Sequence, residues 1–579
     1  MTLRSLLLCA AGAFALTACQ TTGSSNISST FGIRSNFQPT HERLDGSFLE
    51  TIDMAAVAED QSDLTNEDMR NLALRDDPDS QRGFFGMVHA SMFNDQPSYH
   101  HLVGDRGPSE YLNGLLQEVL TGWDGPAPEI AVVVTADSSL RGAAHKENFI
   151  AIPIGVLINA ESEDEIAALL AHEAGHLLLG HVGGSNDSRR QERMLNDALD
   201  HMGQFSATMR TTRTRTNSDG TFEVYTVQDQ EAEEQLFGVS LATQASREIA
   251  RNFLFPSMNR ELEEHADLIG VDLMTAAGFN PAGMETLLAR TADQQREVAQ
   301  DVERLNEAQR AQATLSAERL GVNTSGGFLN MLAWEGALGL YEQVRGRANQ
   351  SYRSFEQRSE NTLAYIEKNY FSEYNIRPVR EDGLSQFLAS REGRIVSAYE
   401  TAFEARAKLN EAMTLGRADR NYQPLLDEAR RLVNQALSAG GIQESQIRFI
   451  EFQIHHQRNE PNLAFNALVA AADKPSASAE TLEYLARLYI DRNRTAEARA
   501  ILDRQVDLMG TELVAMPMYL EVAIRENDRE LAEAWLERCE QTENERAVPR
   551  CREVAVEAGL IEEEEESNML RALTSGIGS

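Results

Sequence analysis

Ser162-Glu163-Asp164-Glu165-Ile166-Ala167-Ala168-Leu169-Leu170-Ala171-His172-Glu173-Ala174-Gly175-His176 carries both the start of a helix and its chemistry. Ser162 with Glu165 three residues on is a capping-box pattern, so a helix begins here and runs through Leu179 until Gly183-Gly184. Residues four apart return to nearly the same face. His172 and His176 can therefore reach one metal ion while Glu173 projects beside them toward a bound water, a zinc-hydrolase pattern. Ala168 and Gly180, four before and four after the histidine pair, leave room on that stripe for a cation and a substrate chain.

A catalytic zinc takes three protein ligands and keeps one position open, so a third ligand must come from elsewhere. His181 lies five residues past His176, about 140° round a helix, and is expected to point away. A metzincin needs Gly at 179 and His at 182, where Leu179 and Val182 stand. The better candidate is Glu263, in Arg260-Glu261-Leu262-Glu263-Glu264-His265-Ala266-Asp267-Leu268-Ile269-Gly270, on a helix from about Asn259 to Ala277 that Gly278 and Asn280-Pro281 end. Asp267, one turn on, is placed to hydrogen-bond a ligating imidazole. Glu261 and Glu264 read as solvated charges.

Around these helices, Glu129 onward (EIAVVV) reads as a buried strand, and Asn148 to Ile158 as another running into a short turn. Between Gly184 and Phe255 lies a polar insertion in which Asp219-Gly220 suggests a hairpin between helical arms, readable as a lid. The last third repeats at an offset of 34: Asn459, Asn493 and Asn527 recur in step, with Ala464, Ala498 and Ala532, and Leu468, Leu502 and Leu536. Each unit is then a helix, a turn at the Asn and a second helix.

The chain has 579 residues, 42% apolar and 25% charged, a composition that packs; about 150 residues per domain gives three or four units. Lys+Arg 53 against Asp+Glu 90 leaves a net charge of -37, which disfavours a nucleic-acid partner. Arg4, the apolar Leu6 to Leu16 and Leu16-Thr17-Ala18-Cys19 read as a lipoprotein signal cleaved before Cys19, whose thiol would take the lipid. Gln20 favours the outer membrane. A Ser/Thr-rich spacer follows from Thr21 to Thr30. Cys539 and Cys551 remain as an even pair in an oxidising space and are expected to bridge.

HExxH on one helix, ExxAD on a second with Gly270 beyond it, and the AGFNP exit resemble the gluzincin metallopeptidases of the CAAX-protease and HtpX type over roughly residues 100 to 370. The lipid signal and the C-terminal units, which resemble tetratricopeptide repeats, match the periplasmic, BepA-like branch. The resemblance implies a predominantly helical α+β fold: a zincin core with a small sheet, then an α-helical repeat domain. It also implies zinc held by His172, His176 and Glu263, with Glu173 as base and Asp267 in support. Two departures stand out. Asn148-Phe149-Ile150-Ala151-Ile152-Pro153-Ile154-Gly155 replaces the usual lead-in to the zinc helix. The family's Ser-His-Pro, four residues and Arg appears as Ser351-Tyr352-Arg353 and then Arg358, without the His. Tyr352 either donates to an oxyanion or merely packs.

The domains expected are a signal over 1–18, a tether over 19–75, the metalloprotease over 76–400, repeats over 401–560 and an acidic tail over 561–579. The function expected is a zinc endopeptidase, lipid-anchored in the periplasm and spanning no membrane. It would cleave unfolded or misassembled envelope proteins, paired as a strand along Asn148 to Ile152, with the repeats recruiting substrate or outer-membrane assembly machinery. The alternatives are a lipid-tethered repeat scaffold or chaperone with an inactive or autoinhibited zinc site, and, last, an acidic structural protein using Glu562 to Glu566.

Overall fold

The computed structural model of the protein describes residues 40–54, 78–95, 100–126, 128–182, 212–216, 222–226, 260–294, 296, 357–417, 419–542, 544 and 547–561. Cys19, Tyr352, most of the insertion and the Glu-rich tail lie outside the described residues. The chain divides into Met1–Asp45, whose described part holds one helical turn at Thr40–Arg43, and Gly46–Ser579, to which everything below belongs.

The described residues form a predominantly helical α+β protein with a small sheet, as the sequence suggests. After helices α1 (Pro78–Asp95) and α2 (Arg106–Leu120) come strands β1 (Ala131–Thr135), β2 (Ala143–His145) and β3 (Phe149–Pro153), ordered β1-β3-β2. β1 runs parallel to β3 and β2 antiparallel to it. Every residue of β1 and β3 is buried, which accounts for their unbroken apolar text. The chain does not continue as strand past Pro153 but enters helix α3 (Ile154–Asn159).

The sheet overturns one expectation. Asn148 to Ile152 is not a free edge, because β3 is paired on both sides; the edge strand is β2. Reading the sequence misses β2 because Ala-Ala-His is too short to show alternation.

Helix α4 (Glu163–Leu178) begins where the capping signal places it: the Ser162 hydroxyl accepts the Glu165 N–H at 3.2 Å. Helix α5 (Arg260–Ala276) packs along α4. Their approach is close enough to require glycine. A Cβ on Gly175 would stand 2.5 Å from Ile269 Cγ2, and one on Gly270 would stand 3.2 Å from the His172 N. β4 (Thr212–Thr216) and β5 (Phe222–Thr226) pair antiparallel, the strands of the hairpin read around Asp219-Gly220.

The C-terminal part is a series of helical hairpins: α6 (Arg394–Leu415) with α7 (Tyr422–Ser438), α8 (Ser445–Gln457) with α9 (Pro461–Ala472), α10 (Ala479–Asp491) with α11 (Thr495–Met509), and α12 (Met516–Arg525) with α13 (Arg529–Gln541), closed by α14 (Ala547–Glu557). The recurring Asn459, Asn493 and Asn527 sit between helices at φ 58, 55 and 56°, the left-handed region that Asn tolerates better than most residues. The in-step Ala464, Ala498 and Ala532 are buried, as are Leu468, Leu502 and Leu536. Cys539 and Cys551 form a disulfide joining α13 to α14.

The hairpins and the sheet share one segment. Val103 N–H donates to Val134 O at 2.9 Å and Ala136 N–H to His101 O at 2.8 Å, extending the sheet beyond β1. On its other side, the N–H groups of Gly104 and Asp105 donate to the buried Glu444 carboxylate at 2.8 and 2.9 Å, and His101 Nε2 lies 2.9 Å from Glu480 Oε2. α1 packs against α11.

Candidate metal centre

α4 and α5 bring together His172, His176 and Glu263, whose donor atoms all lie within 4.8 Å of one another. His172 Nε2 is 3.3 Å from His176 Nε2 and 3.8 Å from Glu263 Oε2; His176 Nε2 is 3.7 Å from Glu263 Oε1. Zinc bonds of about 2.0–2.1 Å to His nitrogen give a tetrahedron with edges of roughly 3.3 Å, so two imidazoles and a carboxylate at these separations fit the ion. Among the described residues this is the one group of such donors close enough to hold a metal.

Charge is distributed unevenly around the donors. His172 Nδ1 meets Asp267 Oδ1 at 3.0 Å. Burial would lower the His172 pKa, but that hydrogen bond and the charges of Asp267, Glu173 and Glu263 hold it above the usual value. Burial and neighbouring His172 push His176 down to about 3. Burial would raise Glu263, and Arg358 with both imidazoles instead keeps it below the ordinary carboxylate range. Arg358 Nε and Nη2 donate to the Asp267 carboxylate at 2.8 and 2.7 Å, and Nη1 donates to Glu263 Oε2 at 2.8 Å.

Glu173 is buried beside the edge strand, where its carboxylate accepts the Ala144 N–H. Burial, with the Glu263 charge, raises its pKa; His172 and Arg141 act in the opposite sense. A Cβ on Gly142 would stand 2.9 Å from Glu173 Cγ and 3.1 Å from its Oε1, so the bare backbone there leaves the space the carboxylate fills. A carboxylate of raised proton affinity next to a metal-donor cluster and a strand edge is equipped to move a proton at a bound peptide.

The sequence reading locates His172, His176, Glu173, Glu263 and Asp267, and the structure brings all five together. It misplaces two residues. Glu264 is not solvated but buried, at 4% exposure, because α5 is covered on more than its α4 face. His181 does not point away: its Nδ1 is 3.1 Å from His176 Nδ1, because α4 ends at Leu178 and an extrapolated helix no longer applies. The contact made by Arg358 is also missed, since it appears in the sequence only as the remnant of a motif that has lost its His.

No curated protein matches the chain. Residues 108–317 match Peptidase family M48, whose members are zinc metallopeptidases, and this span contains every donor of the cluster. Over residues 108–317 the chain is thus similar to the metallopeptidase domain of family M48.

Proposed function

We propose that the protein is a zinc-dependent endopeptidase in which His172, His176 and Glu263 hold the ion and Glu173 is the general base. The carrying observation is the convergence of two imidazole Nε2 atoms and one carboxylate, with Glu173 buried beside them. Zinc, when bound, supplies Lewis-acid polarisation of water and of the scissile carbonyl. Glu173 takes a proton from the attacking water on its carboxylate and returns it to the leaving amine. Asp267 accepts from His172 Nδ1–H and so keeps the Nε2 lone pair of that ring turned toward the ion. Arg358 bridges the Asp267 and Glu263 carboxylates, each of its three guanidinium nitrogens donating to one of them, and so offsets part of their charge.

An extended peptide adds beside β2, the strand whose Ala144 N–H already bonds Glu173. Main-chain pairing of this kind accepts many sequences, which suits unfolded or misassembled envelope proteins as substrates. The hairpins, resembling tetratricopeptide repeats, would recruit those substrates or the outer-membrane assembly machinery. The Leu16 to Cys19 signal supports a lipid-tethered periplasmic protein at the outer membrane, and the Cys539–Cys551 bridge suits that oxidising compartment. No helix among the described residues is long and apolar enough to cross a membrane.

Glu173→Gln tests the assignment. Cleavage of a disordered protein such as casein should fall by about 10²–10⁴-fold with one zinc still bound per chain. Wild-type rates in that variant would remove Glu173 from the role.

A further inference from the structure

One ring of the donor cluster has an obvious orienting partner, since His172 Nδ1 faces the Asp267 carboxylate. His176 Nδ1 faces another imidazole instead, His181 Nδ1 at 3.1 Å. The way α4 ends sets up this contact. Gly180 lies at φ 65°, its N–H donates to Leu177 O at 3.2 Å, and the His181 N–H donates to His176 O at 2.9 Å. That paired pattern, a left-handed residue followed by one bonded five back, brings the residue after the turn over the residue five before it. The same chain reversal recurs in the hairpins. Glu460 N–H donates to His455 O at 3.0 Å while the two side chains meet, and Arg494 N–H donates to Tyr489 O at 2.8 Å while its guanidinium lies 4.7 Å over that ring. At the end of α4 both partners are histidines.

We infer that His181 is the positioning residue of His176, accepting the His176 Nδ1–H on its own Nδ1. The inference rests on the reading that His172, His176 and Glu263 hold zinc, and that reading fixes the direction of the bond. His176 Nε2 faces His172 Nε2 at 3.3 Å, so a shared ion needs the Nε2 lone pair and leaves the His176 proton on Nδ1. His181 Nδ1 is then the acceptor and carries its own proton on Nε2. The reverse arrangement would put a proton on His176 Nε2, between the two donor rings. His181 is itself steadied: its ring centre is 6.3 Å from that of His265, and His265 stacks on Phe48 at 4.9 Å. The two zinc imidazoles are thus oriented by unlike acceptors, an anionic carboxylate for one and a neutral ring for the other.

The test compares the full-length wild type with His181→Ala, His181→Leu, which keeps bulk without an acceptor, and His181→Asn, whose amide oxygen can accept. Zinc affinity is measured by chelator competition, and the visible spectrum is recorded for each cobalt(II)-loaded form. Loss of such a partner typically weakens metal binding about 10–100-fold. Ala and Leu should fall in that range with an altered cobalt spectrum, and Asn should return to within a few-fold of wild type. Wild-type affinity and spectrum in the Leu variant would overturn the inference, and so would an Asn variant as weak as Leu. A wild type that binds no zinc would instead overturn the ligand assignment on which it rests.

Discussion

Arg358 grips Asp267 with parallel donors, Nε to Oδ2 at 2.8 Å and Nη2 to Oδ1 at 2.7 Å, and directs its Nη1 to Glu263. Its guanidinium and the Asp267 carboxylate are 12% and 2% exposed, so neither charge has water to replace the other. The pair therefore fixes how much negative charge the site presents to an incoming cation.

Arg358→Met would leave both carboxylates buried without their cation, a loss that typically costs about 3–5 kcal/mol. The metal-free variant should melt well below the metal-free wild type. Zinc neutralises the same carboxylates, so the gap should narrow when both are loaded. Thermal scans of the four forms decide it, and an equal gap with and without zinc would show that the guanidinium is not compensating the site.

Gly142→Ala would push a Cβ into the space occupied by Glu173 while leaving the zinc donors untouched. A displacement of about 1 Å at a catalytic group can cost 10²-fold in rate. The variant should lose one to two orders of magnitude in peptidase kcat at unchanged zinc affinity. Full activity would mean that Glu173 has room the structure does not give it.

Burial, reinforced by the nearby Asp105 charge, raises Glu444 from the ordinary 4.5 to about 7, even though Gly104 N–H, Tyr399 O–H and Asp105 N–H all donate to it. Between those values the folded protein holds a proton that the unfolded chain has released, so stability falls as pH rises through this window. Below about 4.5 and above about 7 this group adds no slope. Melting temperatures measured from pH 4 to 8 should decline more steeply for wild type than for Glu444→Gln. Parallel curves would exclude the carboxylate as the source.

Asn459, Asn493 and Asn527 hold left-handed backbone that a β-carbon disfavours. Replacing any one with Ala should cost about 1 kcal/mol, and replacement with Gly should cost little or nothing. Urea unfolding of the paired variants measures this directly. Ala and Gly behaving alike would mean the turns relax to another conformation.

What the sequence reveals depends on whether a feature is written in a local pattern. The capping of α4, the helical spacing of His172 and His176, and the Asn register of the hairpins each depend on residues a few positions apart, and each is legible. The hydrogen-bonded reach from Glu444 to Gly104 crosses more than 300 residues and has no local signature. β2 is too short to announce itself, so the sequence points to β3 as the edge instead. His181 is the instructive failure. In sequence Gly180 looks like a small residue on a continuing helix face, whereas its left-handed conformation ends that face and folds the next residue back. A glycine four positions past a metal-binding histidine, with a second histidine after it, was the available signal.

A column of stacked hairpins shields each member from both sides except at its ends, where loosening usually begins. The bridge between Cys539 and Cys551 rivets the outermost turn of this column at its carboxyl end. Unravelling is thereby discouraged at that extremity, and replacing the two cysteines should undo the safeguard while leaving the distant histidine pair chemically untouched.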